Sequence, residues 1–296
     1  MRVAHVTDIH WYAPPRFAEL TWKRCLGSTN LYLLGRKSQF DRGVQQQLVT
    51  HVAALEPDVV LVTGDLTSQA LEAEFELARG DLDPLLSTRP VLVIPGNHDV
   101  YTRQSQRDRA MERWFGPWMG LCEGGIGRLD VGDLTMVGLD PNRPMALGSS
   151  GVLPSAQLNA LEALLSDSVM ADRSVGLAIH YPPVDRRGQR YDGIRHGLIN
   201  ATDLVGVLDR APKRPAFIAC GHIHHGFRAP LKLSDGHVVP VLNPGTAGQA
   251  FRPDQQRGAA MAVYEVRSNQ VAATERYLHD GSGFFPEPGG SWSTGR

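Results

Sequence analysis

Five short apolar runs, each closely followed by a carboxylate, an imidazole or a carboxamide, set the strongest constraint on how this chain can fold. Residues 3–7 lead into Asp8 and His10. Residues 59–63 lead into Gly64-Asp65, and 91–95 into Gly96-Asn97-His98-Asp99. Residues 176–179 end at His180, and 217–220 open onto Gly221-His222-Ile223-His224-His225-Gly226. Runs that are apolar throughout, rather than alternating, belong to strands buried on both faces of an α/β sheet. Sites in such sheets form beyond the carboxyl ends of the strands, so all five polar clusters are expected on one edge. In extended chain the side chains at i and i+2 point the same way. That would bring Asp8 beside His10 and His222 beside His224, with His225 turned away.

Between these runs, residues 43–55, 71–86, 155–166 and 200–208 carry apolar residues at helical spacing. Residues 129–139 read as a hairpin about Val131-Gly132-Asp133, and 259–266 with 271–277 as another. Alternating elements without a break in composition predict a single α/β domain over 1–280. Residues 281–296, rich in Gly, Pro and Ser, are expected to be a loose tail. One segment, about 20–40, breaks the rhythm: Trp22, Leu26, Leu31, Leu33 and Leu34 interleave with Lys23, Arg24, Arg36 and Lys37. The favoured reading is an insertion whose apolar side packs on the core while its cations are solvated. The alternative is a basic, apolar lid for an anionic amphiphile, with peripheral membrane contact.

Charge and cysteine usage exclude several classes. Lys+Arg 30 against Asp+Glu 31 leaves no overall field to draw in nucleic acid, so no nucleic-acid partner is expected. Three well-separated cysteines, Cys25, Cys122 and Cys220, make neither a disulfide framework nor a zinc cluster. No apolar run approaches the ~18 residues of a spanning helix, and a cytoplasmic location is expected. Oligomeric state is not readable from the sequence.

Taken singly, each polar cluster reads as a turn or a cap. Together they supply seven N/O ligands, and as a set they resemble the calcineurin-like metallophosphoesterase superfamily. That family's blocks are Asp-x-His, Gly-Asp, Gly-Asn-His-(Asp/Glu), His and Gly-His-x-His, and every one is present between Asp8 and His224. The resemblance implies a four-layer α/β/β/α sandwich, two mixed sheets flanked by helices. It implies one metal held by Asp8, His10, Asp65 and His224, and a second by Asp65, Asn97, His180 and His222, with Asp65 bridging. His98 would lie beside the substrate phosphoryl group as a catalytic residue, and Asp99 would either orient it or tie down the loop.

The implied chemistry is two-metal phosphoryl transfer, in which a metal-bound water ionised near neutral pH is the nucleophile. Without cysteine ligands, the mixed O/N set fits Mn, Fe or Zn. Asn243-Pro244-Gly245-Thr246 reads as support for the His222/His224 loop, and Arg195 and His196 as candidate substrate contacts. Gly64-Asp65-Leu66-Thr67-Ser68 lacks the arginine of protein serine/threonine phosphatases and the tyrosine of purple acid phosphatases. What remains resembles the bacterial phosphodiesterase and pyrophosphatase branch, with a cyclic nucleotide or a UDP-diacylglucosamine-type lipid precursor as substrate. A non-catalytic interaction scaffold is the alternative. Loss of catalysis usually shows as gaps among the ligands, and here none of the seven positions is missing.

Overall fold

The structure, a computed structural model, describes residues 1–145, 148–255 and 257–288. Its first half runs β1 (Arg2–Val6), α1 (Trp22–Ser28), α2 (Arg42–Ala54), β2 (Val59–Val62), α3 (Glu72–Leu86), β3 (Val91–Val93), α4 (Arg103–Arg107) and α5 (Ala110–Met119). Next come β4 (Gly127–Val131), β5 (Leu134–Leu139), α6 (Ser155–Ser166), β6 (Ser174–Ile179), α7 (Ala201–Arg210) and β7 (Phe217–Ala219). The chain then becomes all strand: β8 (Phe227–Lys232), β9 (Val238–Asn243), β10 (Ala260–Arg267), β11 (Gln270–His279) and β12 (Phe284–Pro286).

These strands form two six-stranded mixed sheets, in the orders β12-β11-β10-β1-β2-β3 and β4-β5-β6-β7-β9-β8. β1, β2 and β3 run parallel at one end of the first sheet, and β5, β6, β7 and β9 run parallel in the second. Val3, Leu61, Leu92, Met136, Phe217 and Tyr264 fill the space between the sheets. The outer face of the first sheet packs on α2, α3 and α5, and that of the second on α6 and α7. Every side chain of β2 and β6 is therefore buried. That explains why their sequences are apolar without alternation, and it establishes the four-layer α/β/β/α arrangement.

Three segments depart from the sequence expectation. Within 281–296, residues 284–286 form β12 against β11, anchored by Phe284 in the core; residues 289–296 lie outside the described residues. The β8–β9 hairpin was not foreseen because each strand contains a proline, and Pro230 stands opposite Pro240 in the register. Proline donates nothing to a ladder and weakens any strand signal.

The insertion at about 20–40 inverts its favoured reading. Leu31 and Phe40 pack inward, but Trp22, Leu26, Leu33 and Leu34 are exposed, Leu33 by 79%. Two of its cations go in instead, while Lys37 stays exposed. Arg24 is only 4% exposed and donates to the carbonyl oxygens of Glu19, Gln69 and Ala70. Lys23 donates to the Tyr101 carbonyl at 2.7 Å, with its ammonium 4.1 Å from the centre of the Tyr101 ring. Buried carbonyls in irregular chain need donors, and a guanidinium with five N–H groups can supply three at once.

Candidate metal centre

The five polar clusters do meet at one rim, where the carboxyl ends of β1, β2, β3, β6 and β7 face one another across the two sheets. The backbone that brings them there is bent, not extended. Asp8, His10, Asp65, His222 and His224 all have positive φ, between 52° and 72°. Non-glycine residues rarely adopt the left-handed region, and clusters of them mark positions held by their surroundings. β1, β2 and β7 leave their sheets in sharp kinks, so the residues after them turn inward for a different reason from the pleat. Two glycines make room: a β-carbon at Gly96 would press into the Asp65 carboxylate, and one at Gly221 into Thr7 and Asp8.

Asp8, His10, Asp65 and His224 each bring a ligand atom within 4.8 Å of the others. His224 Nε2 lies 3.1 Å from both Asp8 Oδ1 and His10 Nε2. Asp65 Oδ2 stands 3.7 Å from His10 Nε2 on one side and 3.4 Å from His180 Nε2 on the other. Beyond it, Asn97 Oδ1 lies 3.2 Å from His180 Nε2 and 2.9 Å from His222 Nδ1. All seven residues predicted as ligands thus form two adjoining groups that share the Asp65 carboxylate.

The donor chemistry fits divalent cations. His10 Nδ1 is 3.2 Å from the Thr67 carbonyl and His180 Nδ1 is 2.7 Å from that of Thr63. A carbonyl accepts only, so each Nδ1 carries a proton, which leaves each Nε2 as the nitrogen that would offer its lone pair to a metal, as ligating histidines do. The Nε2 atoms of His10 and His224 then face one another, and His222 Nε2 is buried without a hydrogen-bond partner among the described residues. Electrostatics point the same way. Burial opposes charge on Asp65, yet the imidazoles of His180, His98 and His10 hold its carboxyl well below the usual range. Burial would also depress His180, but the Asp65 carboxylate lifts it to about 9. The carboxylate demands positive charge here and the histidines compete to supply it; a divalent ion would meet that demand and release the proton.

Neighbouring residues hold this frame. Thr246 Oγ1 donates to the Asp8 carbonyl and Asn243 Nδ2 to that of Gly221, each at 2.6 Å, as read for the 243–246 loop. His98 lies beside the centre: its backbone N–H donates to Asp65 Oδ1, and its Nδ1 is 2.6 Å from the Ser68 carbonyl. Asp99 does a different job. Its buried carboxylate accepts from the backbone of Leu66, Thr67 and Gly96 and from the Thr67 hydroxyl. It therefore clamps the loops after β2 and β3 together, and the orienting contact on the His98 ring comes from Ser68. His196 stacks on His222 at 4.2 Å between ring centres and lines the cleft, held by Tyr191. The Arg195 side chain is exposed, and this residue enters through its carbonyl, which accepts from Ser149. Sequence reasoning did not single out Ser68, Tyr101 or Ser149, which carry no motif of their own.

A cleft of about 400 Å³ opens from Asn97 and His98 toward α1, walled by Lys23, Tyr101, Arg143 and His196. Among the described residues no helix is long and apolar enough to cross a membrane.

Comparison with known proteins agrees with this geometry. A probable glycerophosphodiester phosphodiesterase of Arcobacter nitrofigilis is 30% identical over 182 residues, covering 60% of this chain and 60% of that protein. A probable cyclic nucleotide phosphodiesterase of Synechococcus sp. is 27% identical over 72% of this chain and 76% of its own length. Among solved structures, a dimetal phosphatase from Danio rerio superposes with a TM-score of 0.60 at 13% identity, covering 96% of this chain and 98% of that one. A purple acid phosphatase from yellow lupin gives the same score at 11% identity, over 97% of this chain and 52% of that one. At such identities these two speak for the fold alone. The family model described as calcineurin-like phosphoesterase matches residues 1–226, and with its sandwich fold and rim of ligands the chain belongs to that family.

Proposed function

We propose that the chain is a binuclear metal-dependent hydrolase of phosphodiesters or diphosphates. One metal would be held by Asp8, His10, Asp65 and His224, and the other by Asp65, Asn97, His180 and His222. The observation that carries this reading is the place of Asp65 Oδ2, flanked by His10 Nε2 and His180 Nε2 at 3.7 and 3.4 Å. A pair of bound cations would supply charge neutralisation of the phosphoryl group and a water ionised near neutral pH. The chain's own residues do the rest. His98, whose Nδ1 is held by the Ser68 carbonyl, would meet the ester through its imidazole and stabilise developing charge or hand a proton to the leaving oxygen. Stacking on His222 keeps the His196 ring against the same cleft. The names of the relatives support a diester over a monoester, and cyclic nucleotides and UDP-linked lipids are both substrates such a centre would accept. Mn, Fe and Zn all suit the O/N ligands.

The test is hydrolysis of bis(p-nitrophenyl) phosphate by metal-replete protein, with His98→Ala alongside. We expect turnover with added Mn²⁺, and a loss of about 10²–10⁴-fold in the variant with its metal content intact by elemental analysis. Full turnover in metal-replete His98→Ala would remove that residue from the chemistry. No turnover with any divalent ion would overturn the hydrolase reading and leave a scaffold.

A further inference from the structure

The cleft that leaves the metal centre continues past Lys23, Tyr101 and Met145 into a second hollow of about 470 Å³, bounded by Trp22, Arg103 and Arg107. Four cations, Lys23, Arg103, Arg107 and Arg143, line the two lobes, and no carboxylate does among the described lining residues. In a chain of net charge −1 this is a local imbalance. Some other arginines, Arg42, Arg79, Arg128, Arg210 and Arg276, each face an Asp or Glu. Among the described residues none of the four groove cations makes an ion pair.

Lys23 stands between the lobes and is the best placed of the four. A line of rings joins it to the ligands: His10 to His98 at 4.9 Å, His98 to Tyr101 at 5.6 Å, then the Lys23 ammonium 4.1 Å from the Tyr101 ring centre. Its bond to the Tyr101 carbonyl uses one of three N–H donors. Burial has already removed part of its water and lowers its pKa to about 8, so an arriving anion would have less desolvation to overcome.

We infer that this groove is a subsite for a second negative charge, with Lys23 at its centre. The preferred substrate is then a phosphodiester or diphosphate whose non-reacting arm carries a further phosphate or carboxylate. The inference rests on the hydrolase reading and narrows it, because a cationic headgroup on that arm would meet like charge.

The experiment compares kcat/KM of the full-length Mn²⁺-loaded protein on three p-nitrophenyl phosphodiesters. Their second ester groups are propyl, 3-phosphopropyl and 3-(trimethylammonio)propyl. The phosphopropyl ester should exceed the propyl ester by about tenfold, and the trimethylammonio ester should fall below it. In Lys23→Ala the phosphopropyl-to-propyl ratio should drop about fivefold or more. It should also drop, by less, in the Arg103→Ala/Arg107→Ala double variant, and it should stay high in Lys23→Arg and in Lys232→Ala, which lies outside the groove. A ratio near one in the parent protein, or one unchanged in both groove variants, overturns the subsite. If no ester is turned over with any divalent ion, it is the hydrolase reading that has failed. Calorimetry with propane-1,3-bisphosphonate and propylphosphonate then decides the subsite alone. An advantage for the bisphosphonate that Lys23→Ala abolishes sustains it, and equal binding of the two overturns it.

Discussion

At the scale of single residues, left-handed backbone aims Asp8, His10, Asp65, His222 and His224 at one rim. Asp8, His10, Asp65, Asn97, His180, His222 and His224 could be named because the blocks they form, each behind an apolar run, resemble the ligand pattern of a known family. The left-handed backbone that aims five of them is invisible in residue types that seldom adopt it. Lys23 shows the opposite case: in sequence it is one basic residue among several in an irregular segment, and only packing sets it over Tyr101. Its environment has a consequence for pH. An ordinary lysine titrates near ~10.4; burial lowers Lys23 to about 8, so its ammonium is present below that value and lost as pH rises through it. Arg103, Arg107 and Arg143 face the same groove. His196, held below its usual value by burial, is neutral across this window. The phosphopropyl-to-propyl ratio of kcat/KM should therefore fall as pH rises through about 8 in the parent protein and stay level in Lys23→Arg. Profiles that superpose for the two proteins would show that the Lys23 ammonium does not set the preference.

Loops carry the burden at the scale of elements. The sheets supply directions, but the turns after β1, β2, β3 and β7 decide whether ligand atoms meet. Asp99 makes this concrete, since it accepts from both the 64–68 and the 96–99 loops and so fixes Asp65 relative to Asn97. The Gly-Asp and Gly-Asn dipeptides were readable as turns; that one glycine exists to let the other loop's carboxylate pass was not, because the constraint lies between segments distant in sequence. It predicts that Gly96→Ala, a substitution far milder than removing a ligand, lowers bound metal per chain, because the new β-carbon displaces the Asp65 carboxylate. Elemental analysis after dialysis against Mn²⁺ checks it, with circular dichroism confirming that the sheets remain. Metal at the parent stoichiometry would mean that the loop yields at little cost. The β8–β9 hairpin and the inverted insertion escaped the sequence for a related reason. Facing prolines are excused by a partner strand, and a cation is drawn inward by carbonyls that only the fold exposes to it.

At the scale of the molecule, the centre is a seam. The first sheet contributes Asp8, His10, Asp65 and Asn97, the second His180, His222 and His224, and the apolar layer of Val3, Leu61, Met136, Phe217 and Tyr264 also lies between them. The strands were legible as buried on both faces, but the two-sheet sandwich was implied by the family resemblance; beyond the β4–β5 and β10–β11 hairpins, which strands would be neighbours could not be read, since pairing is set by distant segments. A metal held by residues of both sheets would couple metal affinity to the fold. Ions that bind only the assembled site stabilise it by RT ln(1 + [M]/Kd), about 4 kcal/mol at a thousand times Kd. For a domain of this size about 1 kcal/mol is worth roughly 2–4 °C in Tm. Saturating Mn²⁺ should therefore raise Tm by several degrees or more over chelator-treated protein, and Asp65→Ala, which removes the shared carboxylate, should abolish most of that rise. Scanning calorimetry of both proteins at fixed chain concentration makes the comparison. Equal metal-dependent shifts in the two would place the stabilising ions somewhere other than this seam, whereas a shift lost with Asp65 ties the clamp between the sheets to the one side chain both metals would share.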